Sequence, residues 1–243
     1  ASLIPNDPLC SIIDELGNMT LSDRCEYEGS ENHKVTVEIT RSNFTDFNNN
    51  NDGGAIHVKN CDVRCNGTHF INCSSNEGGG GGVFINNTLN NETSIDLINL
   101  TFINCNAMYG GAVFIRAMHE SSRILVLNCL FDSNRAYGIK SDTKLYGGSS
   151  LFLATHGANV TDCVFLHSKG QGGAVKIEKY DFGLNYNSNR RVKQLEENAI
   201  SISITGCDFD EDKESQISIF DASGNEGENV ELINCNFKGK SAK

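Results

Sequence analysis

Ten cysteines, eight N-x-S/T triplets and one short acidic run are the residues of this 243-residue chain whose types and spacing could do chemistry. The cysteines are Cys10, Cys25, Cys61, Cys65, Cys73, Cys105, Cys129, Cys163, Cys207 and Cys235. An even number of this size favours an oxidising compartment and disulfide pairing. A zinc site would need two Cys-x-x-Cys pairs or a Cys/His box, and the only close pair is Cys61 with Cys65. The triplets begin at Asn18, Asn43, Asn66, Asn72, Asn86, Asn91, Asn99 and Asn159, none with Pro at the middle position. Each is an acceptor for N-linked glycan in the secretory pathway. Thiols and triplets together predict a secreted eukaryotic glycoprotein.

Catalytic chemistry finds less support. Asp208, Asp210, Glu211 and Asp212 form the one dense carboxylate run, a pattern that usually marks a solvated face. A pectate-lyase-like site needs a carboxylate nest for calcium with a basic residue close by. The NTD, GHG and RIK strings of polygalacturonase-like enzymes do not occur, and the six His are scattered without triad or metal spacing. The expectation is a protein without catalytic, cofactor-binding or metal-ligating residues. The net charge of −11 and pI near 5.0 exclude nucleic acid and anionic lipid as natural partners. The Arg190-Arg191-Val192-Lys193 cluster is too short to reverse that, and no run of about 18 apolar residues predicts a membrane span.

The elements that must position these residues form a repeat. Marker phenylalanines fall at 44, 70, 102, 131, 165, 209 and 237, between 26 and 44 residues apart. After most of them comes a glycine pair and a short apolar run: Gly53-Gly54, Gly81-Gly82, Gly110-Gly111, Gly147-Gly148 and Gly172-Gly173. Between them the apolar residues alternate, as in Val35-Thr36-Val37-Glu38-Ile39 and Ile200-Ser201-Ile202-Ser203-Ile204. Period two means strands. Several short strands per repeat with loops of free length predict an all-β fold, a right-handed parallel β-helix of about seven coils stacked at about 4.8 Å. Like residues then stack in ladders, Phe on Phe and Asn on Asn. An antiparallel sandwich would need hairpin turns, and Asn-Gly occurs only at Asn66-Gly67.

The repeat resembles that of the chlamydial polymorphic outer membrane proteins and of similar surface proteins of protists. GGAI stands at 53–56, GGAV at 110–113 and 172–175, and FxxN at Phe47–Asn50 and Phe131–Asn134. The likeness covers roughly residues 35–237. It implies an extracellular β-helix with an adhesive surface role. The chain departs from the pattern at Phe70-Ile71-Asn72-Cys73 and Phe102-Ile103-Asn104-Cys105, where Asn comes one residue early.

Residues 1–34 carry no repeat and are expected to cap the first coil, with a short helix from Pro8 through Ile12, Ile13 and Leu16 to Gly17 and a Cys10–Cys25 bond. Residues 35–243 form the β-helix. Cysteines at equal places in successive coils, such as Cys73 with Cys105 and Cys129 with Cys163, lie within disulfide reach; a stack of buried thiols is the alternative. Residues 178–198 and 135–146 read as excursions from the coil. The last motif, Cys235-x-Phe237, suggests an open edge that invites a partner strand. The predicted function is a secreted or surface-exposed structural or adhesive protein, such as a glycosylated subunit of an extracellular filament or coat. Its expected partners are other protein subunits, end to end or side on, and glycan. A carbohydrate-binding module and a polysaccharide lyase or glycoside hydrolase are the alternatives.

Overall fold

The computed structural model describes residues 25–28, 36–88, 92–138, 147–170, 173–178, 201–211, 217–220 and 229–239. The cap helix, the Cys10–Cys25 bond, the triplets at Asn18 and Asn91, Asp212 and the Arg190–Lys193 cluster fall outside them. Among the described residues all regular structure is strand, and every strand pair is parallel. Each coil contributes one strand to each of three sheets, and the first five coils add a strand to a short fourth. In one coil these are Ile56–Lys59, Asp62–Asn66, His69–Ile71 and Ser74–Ser75; in the next, Val83–Asn87, Ser94–Ile98, Thr101–Ile103 and Asn106–Ala107. Three sheets hold seven strands and the short fourth holds five. The fold is a parallel β-helix.

Alternation sets which side of each strand faces inward. The strand Thr36–Thr40 exposes and buries its residues in turn, as period two requires. Stacking then places like over like. The seven marker phenylalanines pair Cα to Cα along one sheet. From Phe44 to Phe237 their rings stack at 4.8 to 5.1 Å, within 8° of parallel. Such near-parallel rings are the aromatic form of close packing in a coil whose spacing is fixed by the strands. A second inward column runs Ile39, Cys65, Leu97, Val126, Val160 and Ile204. Cys65 stands there in the place of an aliphatic residue.

The corners between strands favour left-handed backbone. Between the second and third strands of successive coils stand Arg41, Gly67, Asn99, Asn128, Asp162, Gly206 and Asn234, all with φ of 49 to 64°. Between the third and fourth stand Asp46, Asn72, Asn104, Ser133 and His167, with φ of 51 to 61°. Asn and Asp enter this left-handed region at lower cost than other side chains. Their amides also link the coils: Asn128 Nδ2 donates to Asn99 Oδ1 at 2.7 Å, Asn99 Nδ2 to Asn66 Oδ1 at 3.1 Å, and Asn104 Nδ2 to Asn72 Oδ1 at 2.9 Å. The early Asn of the Phe-Ile-Asn-Cys segments is thus a corner residue. The later Asn of the FxxN pattern at Asn134 is buried one place on, where Cys73 and Cys105 sit in their own coils. It plugs that place by accepting from the Cys105 amide at 2.9 Å and donating to the Phe102 carbonyl at 3.1 Å.

Two details of the repeat are corrected by the register. Ile56 pairs with Val83 and Val113 with Leu151, so Gly80-Gly81 and Gly148-Ser149 are the equivalents of Gly53-Gly54, one residue off the pairs read from the sequence. The first member is left-handed, with φ of 70, 64, 56 and 62° at Gly53, Gly80, Gly110 and Gly148. The second is crowded: a Cβ on Gly54 would stand 2.0 Å from the Gly81 carbonyl oxygen. Arg135–Ala136 and Glu178 also belong to paired strands and not to the expected excursions, the rest of which lies outside the described residues.

Candidate functional site

The expected disulfides give way to thiols. Cys61, Cys65, Cys73, Cys105, Cys129, Cys163, Cys207 and Cys235 are free cysteines, and all but Cys235 are buried. The reason is the direction of each Sγ. Cys105 Sγ donates to the carbonyl of Ile103 at 3.7 Å and to that of Phe70, one coil back, at 3.5 Å. Cys73, Cys129, Cys163, Cys207 and Cys235 repeat this pair of contacts, one acceptor two residues earlier and one in the preceding coil. A weak donor with a small apolar body suits a corner where two carbonyls face inward.

Burial pushes the Cys65 thiol well above its ordinary value, up to about 12. Cys105 is raised by burial and then by Cys73, Cys163 first by its bond to Cys129, and Cys207 first by its bond to Cys163. In the unfolded chain these thiols ionise near about 8.5. Above that pH the unfolded state sheds protons that the folded state keeps, so stability is full below about 8.5 and falls towards about 12. The urea midpoint is expected to stay level from about pH 6 to 8 and decline above it. An aromatic disulfide reagent should label Cys235 first and the other described thiols only on unfolding; rapid native labelling of all of them would contradict the buried thiol columns.

A more polar arrangement lies on the outer side of the double-glycine sheet. Its outward residues form two columns, Glu26, His57, Phe84, Phe114, Phe152 and Lys176, and beside them Glu28, Lys59, Asn86, Arg116, Ala154 and Glu178. From His57 to Glu178 nearly all are buried, although they point away from the core. Phe84 and Phe114 stack at 4.7 Å, and Phe114 and Phe152 meet at 5.0 Å with a 33° tilt. Tyr109 sets its edge on Phe114 at 5.2 Å, and its hydroxyl donates to Asp52 at 3.3 Å. Lys176 and His57 stand at the two ends of the rings. Lys176 Nζ lies 5.1 Å over Phe152 and 3.2 Å from Glu178; His57 is edge-on to Phe84 at 5.1 Å, with Glu26 3.5 Å away. Burial lowers the Arg116 guanidinium to about 10, against the pull of Tyr109. It stays protonated at neutral pH.

This set was missed in the sequence. Val175-Lys176-Ile177-Glu178 alternates as half-exposed strands do, which assigns Lys176 and Glu178 to water, and Arg116 reads as the polar end of the apolar run Val113-Phe114-Ile115. Aromatic residues at three successive outward places, Phe84, Phe114 and Phe152, were the available signal that this side is covered. The geometry suits a second, charge-stapled core. Its carboxylates are engaged: Glu178 by Lys176, and Asp52 by the Gly79 amide and Tyr109.

The expected candidates elsewhere are dispersed. Asp208 and Asp210 are exposed on the outer side of the phenylalanine sheet, beside Asn236 and Lys238 of the next coil. His167 lies 2.8 Å from Asp132 at a corner. Among the described residues no group of three or more His, Cys, Asp or Glu is placed to hold a metal ion, and no helix is long and apolar enough to cross a membrane. Five triplet asparagines, Asn43, Asn66, Asn72, Asn99 and Asn159, are exposed, and Asn86 is half-buried. All five lie on the second and third sheets and the corners beside them, away from the double-glycine side. No family model, curated protein or solved structure matches the chain. The arrangement of its own side chains is what bears on function.

Proposed function

We propose that the chain is a secreted or surface-exposed structural and adhesive rod, a glycosylated β-helix subunit of an extracellular filament or coat. The observation that supports this reading best is the segregation of the exposed triplet asparagines. Glycan on Asn43, Asn66, Asn72, Asn99 and Asn159 would clothe the second and third sheets, while the double-glycine sheet has only the half-buried Asn86 among the described triplets. Bulky, hydrated glycan on some faces keeps those faces from associating, which suits a subunit that assembles in one direction. The carbohydrate-binding alternative needs aromatic rings open to a sugar, and Phe84, Phe114 and Phe152, the aligned outer rings, are buried. A retaining or inverting hydrolase needs two carboxyl groups across an open cleft; the buried carboxylate on that side is tied to Lys176.

Expression through a eukaryotic secretory pathway tests the reading. The product is expected in the medium, losing mass on enzymatic removal of N-glycan. Asn43→Gln and Asn159→Gln should each remove one glycan, because both side chains stand outward from strands. Asn72 and Asn99, whose Nδ2 atoms donate to Asp46 and Asn66, should carry less. Retention of unglycosylated protein inside the cell, or release of reducing or unsaturated ends from a uronide polymer, would overturn the proposal.

A further inference from the structure

On the outward side of the fourth sheet the acidic balance of the chain is locally reversed. The chain has 31 acidic residues against 20 Lys and Arg, yet that side runs Asn48, Ser74, Asn106, Arg135 and Lys169 without a carboxylate. Arg135 and Lys169 are paired neighbours, about 4.8 Å apart along the column, and both are exposed. Like charges set directly opposite each other destabilise a sheet. Among the described residues no carboxylate lies within ion-pair distance of either cation. Tyr137, two residues on from Arg135, stands on the same side and is 40% exposed. Its amide donates to the Ala107 carbonyl at 3.0 Å. Its hydroxyl donates to the pair of carbonyls of Ser75 and Asn76, two coils back, at 2.7 and 2.8 Å. The ring is thereby tethered at both ends and spans the coil of Met108 along the sheet. Burial raises the phenol above its ordinary range, with Arg135 pulling the other way, so the hydroxyl keeps its proton at neutral pH.

We propose that Tyr137, Arg135 and Lys169 form a subsite for one acidic sugar residue, a pyranose that carries a carboxylate at the end or branch of a glycan. The ring is the flat apolar platform on which a pyranose stacks through its C–H face. Its tether fixes that platform before binding, so little freedom is lost when the sugar arrives. A guanidinium takes a carboxylate through two N–H donors, and the neighbouring ammonium adds a point charge. Asn106 precedes Arg135 in the same column and gives its Nδ2 to the Asn104 carbonyl at 3.0 Å, which leaves its Oδ1 to accept from a sugar hydroxyl. The net charge of −11 selects a single acidic residue over a long polyanion, which would be repelled beyond the two cations. None of the described triplet asparagines lies on the strands of the fourth sheet, so the subsite is clear of them. One such subsite is less than the row of open rings expected of a carbohydrate-binding module. Repeated along a filament, it binds by many weak contacts at once.

The subsite gives a ligand to the adhesive role in the proposed function, on which it rests only for that setting; its test involves neither secretion nor the chain's own glycan. A secreted, glycosylated rod that fails this test keeps the proposed function and loses only the subsite. Saturation-transfer NMR titration of the 243-residue chain uses three trisaccharides, ending in glucuronic acid, in sialic acid and in glucose. One or both acidic probes are expected to bind, which distinguishes uronate from sialate as the source of the carboxylate, with the neutral probe at least about tenfold weaker. Arg135→Ala and Lys169→Ala, at exposed positions, should each weaken the acidic probe about tenfold and leave the circular dichroism unchanged. Tyr137→Ser should weaken it about tenfold by removing the platform, and Tyr137→Phe, which keeps the ring and loses the tether, should weaken it less. Absence of binding by both acidic probes, equal binding of the glucose-ended probe, or Arg135→Ala and Tyr137→Ser variants that bind like the parent would each overturn the proposal.

Discussion

Replacing Phe131 with alanine is expected to lower the unfolding free energy by about 4 kcal/mol, the upper range for removing a fully buried ring. Phe131 is wholly buried and stacked on both faces, on Phe102 at 5.0 Å and Phe165 at 4.8 Å. Strands above and below are hydrogen-bonded at fixed spacing, so the neighbouring rings cannot slide together to close the gap. The cavity therefore persists, and its cost adds to the lost transfer energy. Phe237→Ala is the control. That ring has one stacking partner and is 45% exposed, so its loss should cost about 1 kcal/mol. Urea titration followed by circular dichroism measures both. Because each coil contacts only its neighbours, hydrogen exchange should place the weakened protection of Phe131→Ala in the coils of Phe102, Phe131 and Phe165. Equal costs for the two substitutions would mean that the rings do not form one packed column.

The second large effect is expected at the buried ion pair. Lys176→Met removes the ammonium 3.2 Å from Glu178 and its contact with Phe152, leaving a buried carboxylate without that cation. The expected loss is about 3 kcal/mol. Replacing both residues, Lys176→Met with Glu178→Leu, should restore most of it, since apolar substitutes for a buried pair are often neutral. A single variant as stable as the parent, or a double variant as weak as the single, would show that the pair does not staple the outer layer.

Much of this architecture was legible in the residues, and the reasons differ by element. The phenylalanines at 44, 70, 102, 131, 165, 209 and 237 gave the coil register directly, because a ring that stacks on its own kind tolerates little else in its column. The glycine pairs were legible as corners but not to the residue: Gly78 to Gly82 is a run of five, and only strand pairing decides that Gly80 takes the left-handed place. The cysteines were read for reactivity, and spacing alone does not separate a disulfide from a thiol. What decided against bonding was the second acceptor, a carbonyl of the preceding coil, which no single-repeat reading contains. The outer layer was hidden for a related reason. Arg116, Lys176 and Glu178 alternate with valine and isoleucine as solvent-facing residues do, and their burial depends on what lies over the sheet rather than on their own strands.

The hydrogen bonds between coils run along the axis of the rod, and each coil is tied to the next by chain segments of very unequal length, 26 residues between Phe44 and Phe70 but 44 between Phe165 and Phe209. Pulled along that axis, the protein would yield one layer at a time rather than as a block. Each rupture would release a single turn of chain, about 90 to 150 Å of slack, before the next layer takes the load. Those unequal segment lengths would set unequal steps along the force trace.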